Sequence, residues 1–191
     1  MQIPNPHEHR LTLAIDPGTK QMGVAVYDYT KIYKTFTIKG PAKIKDADLR
    51  FMEMLGMLED QLGNTLRCEF CEHSHLDMVF EDPQYIRMGN KARPIEALFR
   101  AAGMLHYWGR KYGMSVHRYK VGQIKLGISG RVSASKPEIE RIVTTILPDA
   151  PPAATDDVYD ALSIGMFHLD QRFPGCFDTA LPYVEPSAIL K

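Results

Sequence analysis

Leu11-Thr-Leu-Ala-Ile-Asp-Pro-Gly-Thr-Lys-Gln-Met-Gly-Val-Ala-Val-Tyr27 is the stretch that decides the fold. Leu11–Ile15 is a short apolar run that stops at Asp16, and Pro17-Gly18 breaks it, which predicts a buried strand followed by a turn. Met22–Tyr27 is rich in β-branched and small residues and predicts a second strand. Beyond it, Lys31–Lys39 alternates: Ile32, Lys34, Phe36 and Ile38 fall on one side, Tyr33, Thr35 and Thr37 on the other. That is a period-2 strand whose terminal lysines suit an edge. Short connections between the three predict an antiparallel meander.

Working outward, Leu49, Met52, Leu55, Leu58 and Leu62 recur at helical spacing over Asp46–Leu62, and Gly63-Asn64 reads as the stop. A strand is predicted at Leu76–Phe80, ending at Glu81. A helix follows from Pro94, a good first-turn residue, to about Tyr112, closed by Gly113. Its apolar stripe is Ile95, Leu98, Phe99, Ala102, Leu105 and Trp108. Met114–Tyr119 predicts a fifth strand, and helices are predicted at Lys136–Leu147 and from Thr155 to about Leu169. Thr155 suits an N-cap, and Asp156 and Asp157 suit the positive end of the helix dipole. The order βββαβαβαα, with strand–helix–strand crossovers, implies parallel pairs beside the meander: a mixed five-stranded α/β sheet flanked by helices. The expected organisation is an N-terminal extension at 1–10, one domain at 11–172, and an irregular tail at 173–191.

The chain has 191 residues, 45% apolar and 24% charged, with a formal net charge of zero. This is the composition of one globular domain, not of a disordered chain. No apolar run approaches the roughly 20 residues that span a bilayer, and the first ten residues lack the apolar core of a signal peptide. Three cysteines are too few for a disulfide framework, which implies a reducing, cytoplasmic setting. The neutral total hides an asymmetry. Residues 1–80 carry 9 basic and 11 acidic side chains, residues 81–141 carry 12 and 5, and residues 142–191 carry 2 and 7. The basic middle also holds Tyr85, Phe99, Tyr107, Trp108, Tyr112 and Tyr119. It reads either as a footprint for phosphates or as a solvated helix face.

The carboxylates give the chemistry. Asp16 and Glu81 end strands one and four, so if those strands are parallel neighbours the two acids project from one sheet edge, where open α/β sheets place their sites. Asp157 and Asp160 are three apart on the last helix and share a face. Taken singly, Asp16 reads as a turn residue, Glu81 as a strand end and the pair as helix-terminal decoration. Four acids meeting at one spot would repel unless cations neutralise them. All-oxygen ligands select Mg²⁺ or Mn²⁺. Two such ions about 3.5–4 Å apart form the clamp used in phosphodiester hydrolysis.

Four segments in order carry a resemblance. Ile15-Asp-Pro-Gly-Thr-Lys-Gln-Met-Gly-Val-Ala-Val26 resembles the first motif of RuvC-type Holliday-junction resolvases, in the RNase H-like superfamily. Phe80-Glu81 is similar to the second motif. Gln123-Ile-Lys125 to Ser135-Lys136 resembles the lysine-bearing stretch, and Asp157-Val-Tyr-Asp160-Ala-Leu-Ser the terminal segment. The resemblance implies a sheet with strands one and four adjacent, and Asp16, Glu81, Asp157 and Asp160 as the catalytic set holding two Mg²⁺, with Mn²⁺ as a substitute. It also implies Lys136 and Lys125 near the scissile phosphate, and a homodimer that nicks two strands of a four-way or branched DNA symmetrically, leaving 5′-phosphates. Tyr85, Arg87, Lys91, Arg93 and Arg131 join Lys125 and Lys136 as the expected DNA contacts, with Tyr85 the residue to stack on a base. The enzyme would work at the nucleoid, or in the host cytoplasm if phage-encoded, and no residue implies a helicase partner.

Three points stay open at this level. The run after Glu81, Asp82-Pro-Gln-Tyr85, is one residue longer than the family pattern. Asp156 adjoins the pair, although the i,i+3 register with Asp160 favours Asp157. Cys68-x-x-Cys71-x-His73-x-His75 offers four zinc-type ligands within eight residues, without the second separated knuckle of a structural site. The rival functions are a YqgF-like RNA-processing nuclease and a junction-binding module that does not cut. A two-domain nucleotide-binding reading of the Asp16 loop fails on length.

Overall fold

The computed structural model describes residues 11–28, 31–69, 76–84, 92–151 and 155–177, with the backbone alone at 64–69 and 92–94. Strands β1 (Leu11–Pro17), β2 (Gln21–Tyr27) and β3 (Ile32–Lys39) are followed by helix α1 (Ala47–Glu69) and strand β4 (Leu76–Glu81). Helix α2 (Ala92–Lys111), strand β5 (Ser115–Tyr119) and helices α3 (Val121–Ser129), α4 (Lys136–Ile146) and α5 (Asp156–Arg172) complete the order. The sheet runs β3-β2-β1-β4-β5. β1–β2 and β2–β3 pair antiparallel, whereas β1–β4 and β4–β5 pair parallel. Both halves of the expected topology are therefore present.

Alternation along the central strands makes two layers. Leu11, Leu13, Ile15, Met22, Val24 and Val26 bury themselves with residues of α1 and α2, such as Phe51, Leu58, Leu105 and Trp108. Ala14, Ala25, Tyr27 and Val79 belong to the opposite layer, with α3, α4 and α5. The small side chains on that second face let α5 lie close. Every residue from Val158 to Leu169 except Asp160 is buried, and Tyr27 donates its hydroxyl hydrogen to the Leu162 carbonyl at 2.5 Å. Among the described residues no helix is long and apolar enough to cross a membrane.

The structure departs from the sequence reading in several places. Helix α1 runs through Gly63-Asn64 to Glu69. Gly63 does not take the left-handed conformation of a terminating glycine, whereas Gly113 after α2 does, at φ 73°. Helix α3 has no counterpart in the sequence reading, which assigned no element between Tyr119 and Lys136. Gly127 is a packing residue, since a Cβ there would stand 2.3 Å from the Phe167 ring. Ile32 does not share the side of Phe36 and Ile38. The register slips at Val26/Tyr27, so that Val26 faces Lys34 and Tyr27 faces Ile32. The bulge turns Ile32 to the α5 layer and leaves Tyr33 packing with Phe36. Thr155 occupies the N-cap of α5 but makes no capping bond; its hydroxyl meets that of Thr37 at 2.7 Å. Phe177, in the expected tail, is buried in the α5 layer.

Candidate active site

One row of residues crosses the sheet at the carboxyl ends of β1 and β4. Glu81 is in register with Tyr119, Asp16 with Gly23, and Gly23 with Thr37. Ile15 pairs with Phe80, so the residues that follow each of them, Asp16 and Glu81, are neighbours on adjacent parallel strands. The first turn of α5 lies across this row. At one end Thr155 touches Thr37, and in the middle the Asp157 backbone passes directly over Gly23, where a Cβ would fall 1.9 Å from the Asp157 carbonyl oxygen. This seating brings Asp157 and Asp160 to the two strand-end acids.

The electrostatics follow from that crowding. Burial and the charges of Asp160, Glu81 and Asp157 push the Asp16 carboxyl up to about 8, and Lys136 only partly offsets them. Burial and Asp160 raise Glu81 above its ordinary range, against the pull of Lys125 and Lys136. Lys136 Nζ donates to Asp160 Oδ2 at 2.7 Å, which holds the ammonium above its usual range despite some desolvation. Lys125 Nζ donates to the Ala134 carbonyl at 2.8 Å, at the turn between α3 and α4. Four carboxylates thus face two lysines, and the negative excess sits at Asp16. Asp157 is half-buried and turned to the site, whereas its neighbour Asp156 is exposed.

The sequence reasoning missed Gln21, whose Nε2 donates to Asp157 Oδ2 at 2.6 Å. Gln21 lies two residues before Gly23 on the same face of β2, so the period-2 pattern already placed it beside the acids. Gln21→Ala is expected to weaken divalent-cation binding at the four acids about tenfold, because an outer partner orients its carboxylate. A cation titration followed by melting temperature checks this.

The expected DNA contacts separate. Arg131 is tied to Glu138 in an exposed ion pair. Tyr85, Arg87 and Lys91 lie outside the described residues, as do Cys71, His73 and His75 of the zinc-type motif; Arg93 and Cys68 are described by backbone only. The basic middle segment is not one surface either. Arg100 pairs with Asp48 and Arg118 with Asp82, Trp108 is buried with its Nε1 donating to Glu59, and Tyr119 bonds His168.

A five-stranded mixed sheet in this order, with a carboxylate at the end of each central parallel strand and two more on the closing helix, defines the RNase H-like class. The family profile described as crossover junction endodeoxyribonuclease RuvC matches residues 12–168, and the chain belongs to that family. Crossover junction endodeoxyribonuclease RuvC of Fusobacterium nucleatum is 27% identical over 158 residues, covering 83% of this chain and 79% of the relative. The Methylococcus capsulatus protein of the same name is 28% identical over 160 residues, covering 84% and 90%. The structure of Thermus thermophilus RuvC superposes with a TM-score of 0.63 at 20% identity, over 85% of this chain and 95% of that one. The same protein in complex with a Holliday junction substrate gives 0.63 at 18%, over 92% and 100%. At these identities the structures speak for the fold.

Proposed function

We propose that the protein is a divalent-metal-dependent endonuclease that resolves four-way DNA junctions by paired symmetric nicks, in recombination, repair or branched-DNA processing in the cytoplasm. The observation that carries this is the convergence of Asp16, Glu81, Asp157 and Asp160 on one sheet edge, in a chain of the RuvC family. The site suits hard cations: its donors are all carboxylate oxygens, and Asp16, pushed up to about 8 by burial and by the charges of Asp160, Glu81 and Asp157, is only partly offset by Lys136. Two Mg²⁺ or Mn²⁺ ions held by these four acids would lower the pKa of the attacking water and stabilise the leaving 3′-oxygen. Gln21 holds Asp157 in place for that role. Lys136, largely exposed, holds Asp160 and presents a cation at the mouth of the site, where a phosphate approaches. Lys125 reduces the charge at Glu81 from the other side.

Cutting two strands symmetrically takes two active sites, and we infer a homodimer. The α1–α2 face supports it: Leu49, Met52, Phe99 and Tyr107 are exposed there, beside a groove lined by Leu55 and Met104. Sedimentation at micromolar concentration tests this directly.

The metal makes a pH prediction. Between about pH 4 and pH 8 the folded protein keeps a proton on Asp16 that the unfolded chain has released, so unfolding releases a proton and rising pH favours it. The melting temperature in EDTA is expected to fall across that window, with Glu81 contributing in the same direction. Added Mg²⁺ should raise it, more at pH 8 than at pH 5, because at pH 5 the ion must first displace the proton.

The deciding experiment incubates the protein with a labelled synthetic four-way junction and the matching linear duplex, with Mg²⁺ and with EDTA. The expected result is Mg²⁺-dependent paired nicks across the junction and an intact duplex. Tight junction binding without cutting would instead support a non-cutting module. Absence of binding would point to the RNA-processing branch.

A further inference from the structure

Twelve or so ångströms along α5 from Asp160, measured as eight residues of helix rise, the same face carries a second polar cluster of a different chemical kind. Asp77 on β4, His117 on β5 and His168 on α5 each offer one ligand atom, all within 4.8 Å of one another. Asp77 and His168 are buried, at 3% and 0% exposure. The row of Ala25, Ala14 and Val79, which His117 extends on β5, lies between Asp77 and the acids at the strand ends.

Hydrogen bonding leaves the cluster incomplete. The buried side-chain polar atoms without a partner among the described residues are Asp77 Oδ1, His117 Nε2 and Thr12 Oγ1, and Thr12 is the register neighbour of Asp77 on β1. Such orphans are rare and each calls for an explanation. His168 Nε2 is hydrogen-bonded to Asp77 Oδ2 at 3.2 Å, whereas His117 Nε2 stands 3.6 Å from Asp77 Oδ1, beyond hydrogen-bond reach. Two ligands bonded to one zinc ion at about 2.0–2.1 Å in tetrahedral array lie about 3.4 Å apart, so both histidine–aspartate separations are also short enough for the pairs to share an ion. Tyr119 completes the arrangement: its hydroxyl lies 2.8 Å from His168 Nδ1. With the proton on Nδ1 donated to that hydroxyl, Nε2 can exchange its hydrogen bond with Asp77 Oδ2 for a metal bond.

We propose that Asp77, His117 and His168 form a structural site for a zinc-class divalent transition ion, distinct from the all-carboxylate edge. Imidazole donors select such ions, whereas all-oxygen sets select Mg²⁺, so the two ends of the α5 face take different metals. The ion ties β4, β5 and α5 together at the end of the sheet away from the acids. His117, with 29% of its side chain exposed, gives the ion a path from solvent. Arg172, whose guanidinium nitrogen is 3.9 Å from Asp77 Oδ2, stands at the rim as the cation that an ion displaces.

The test is calorimetric titration of the chelator-stripped full chain with Zn²⁺ in millimolar Mg²⁺, with Co²⁺ absorption as the spectroscopic readout. The expected result is one Zn²⁺ per chain, unchanged in Asp16→Asn, and a rise in melting temperature of roughly 5 °C or more at a hundredfold excess over Kd. His117→Gln, at the least buried ligand, should weaken binding by more than ~10-fold and lose the Co²⁺ bands while the protein stays folded. Arg172→Ala should tighten binding roughly three- to tenfold by removing a like charge. Failure of Zn²⁺ to bind overturns the site. So does full-affinity binding in His117→Gln, which would put the ion elsewhere, the Cys68–His75 segment included. A loss of stability in Arg172→Ala with no gain in Zn²⁺ affinity would make the cluster an ion-pair network instead.

Discussion

Asp16→Asn is expected to lower junction cleavage by about 10³-fold or more, leave junction binding within about threefold, and raise the melting temperature of the metal-free protein. The three effects have one cause. Burial is the main cause that pushes the Asp16 carboxyl up to about 8, and the charges of Asp160, Glu81 and Asp157 add to it. An amide keeps the shape and, unlike the carboxyl, needs no bound proton to stay neutral. Without metal, that relieves a cost of no more than about 4 kcal/mol at pH 7, the difference between ionising the buried group and an ordinary aspartate. With Mg²⁺ the same change removes a ligand, and the stabilisation by Mg²⁺ should shrink. Binding persists because Asp16 contributes no attraction to a phosphate. Opposite movements of stability and activity are the mark of a site kept against the interest of the fold. Undiminished cleavage, or a lower metal-free melting temperature, would remove Asp16 from the metal site. Melting curves in EDTA and in Mg²⁺, beside single-turnover cleavage, read all three.

Most of the sheet could be read from the chain because its signals are local. Leu11–Ile15 ends at Pro17-Gly18, Lys31–Lys39 alternates, and Pro94 and Gly113 bracket α2, so each element announces its own type and end. What could not be read depends on a neighbour distant in sequence. Gly127 looks like a helix breaker until Phe167 is packed against it. Gly63 looks like a cap, yet helix α1 continues past it, and propensity sets only about 1 kcal/mol against that outcome. Ile32 changes sides because of a bulge that no alternation pattern reveals. The basic middle segment looked like one surface only because its charges are consecutive in sequence; the fold sends Trp108 into one layer, Tyr119 into the other, and pairs Arg100, Arg118 and Arg131 with separate acids.

The site divides in the same way. The four acids could be listed because Asp16 and Glu81 sit at strand ends, Asp157 in the first turn of α5, and Asp160 three residues on along the same face. The bonds that hold them could not: Gln21 to Asp157, Lys136 to Asp160, and Lys125 to the Ala134 carbonyl. Such partners are ordinary polar residues until register and helix packing bring them within 3 Å. The cluster of Asp77, His117 and His168 went unread for that reason. Its members are 40 and 51 residues apart along the chain, on three elements, with no spacing motif to connect them.

Gly23 is where sequence motif, packing and chemistry meet, and Gly23→Ala is expected to cost about 3 kcal/mol or more, a fall in melting temperature of at least ~6 °C, with a loss of cleavage of over ~100-fold at temperatures where the variant stays folded. The glycine does not serve backbone conformation, for it lies inside β2 at no unusual φ. It serves approach. A methyl group there would stand 1.9 Å from the Asp157 carbonyl oxygen, 2.2 Å from its carbon and 2.8 Å from the Val158 nitrogen. These are backbone atoms of a helix turn, and no rotamer change moves them aside. Either the first turn of α5 lifts off the sheet or β2 bends, and both carry Asp157 away from Asp16, which is in register with Gly23. The rest of α5 resists, because Tyr27 holds the Leu162 carbonyl and the buried run continues to Leu169. The strain therefore concentrates at Asp157, so cleavage should fail before the fold does. Gly56→Ala is the matched control: that glycine sits in α1 with nothing within 4 Å of an added Cβ, and alanine there should be neutral or stabilise by up to about 1 kcal/mol. Equal behaviour of the two variants would show that the contact of α5 with β2 does not set the position of Asp157. A large loss at Gly23 alone would show that the spacing of the opening motif, Asp16 to Gly23, is a packing requirement of the last helix.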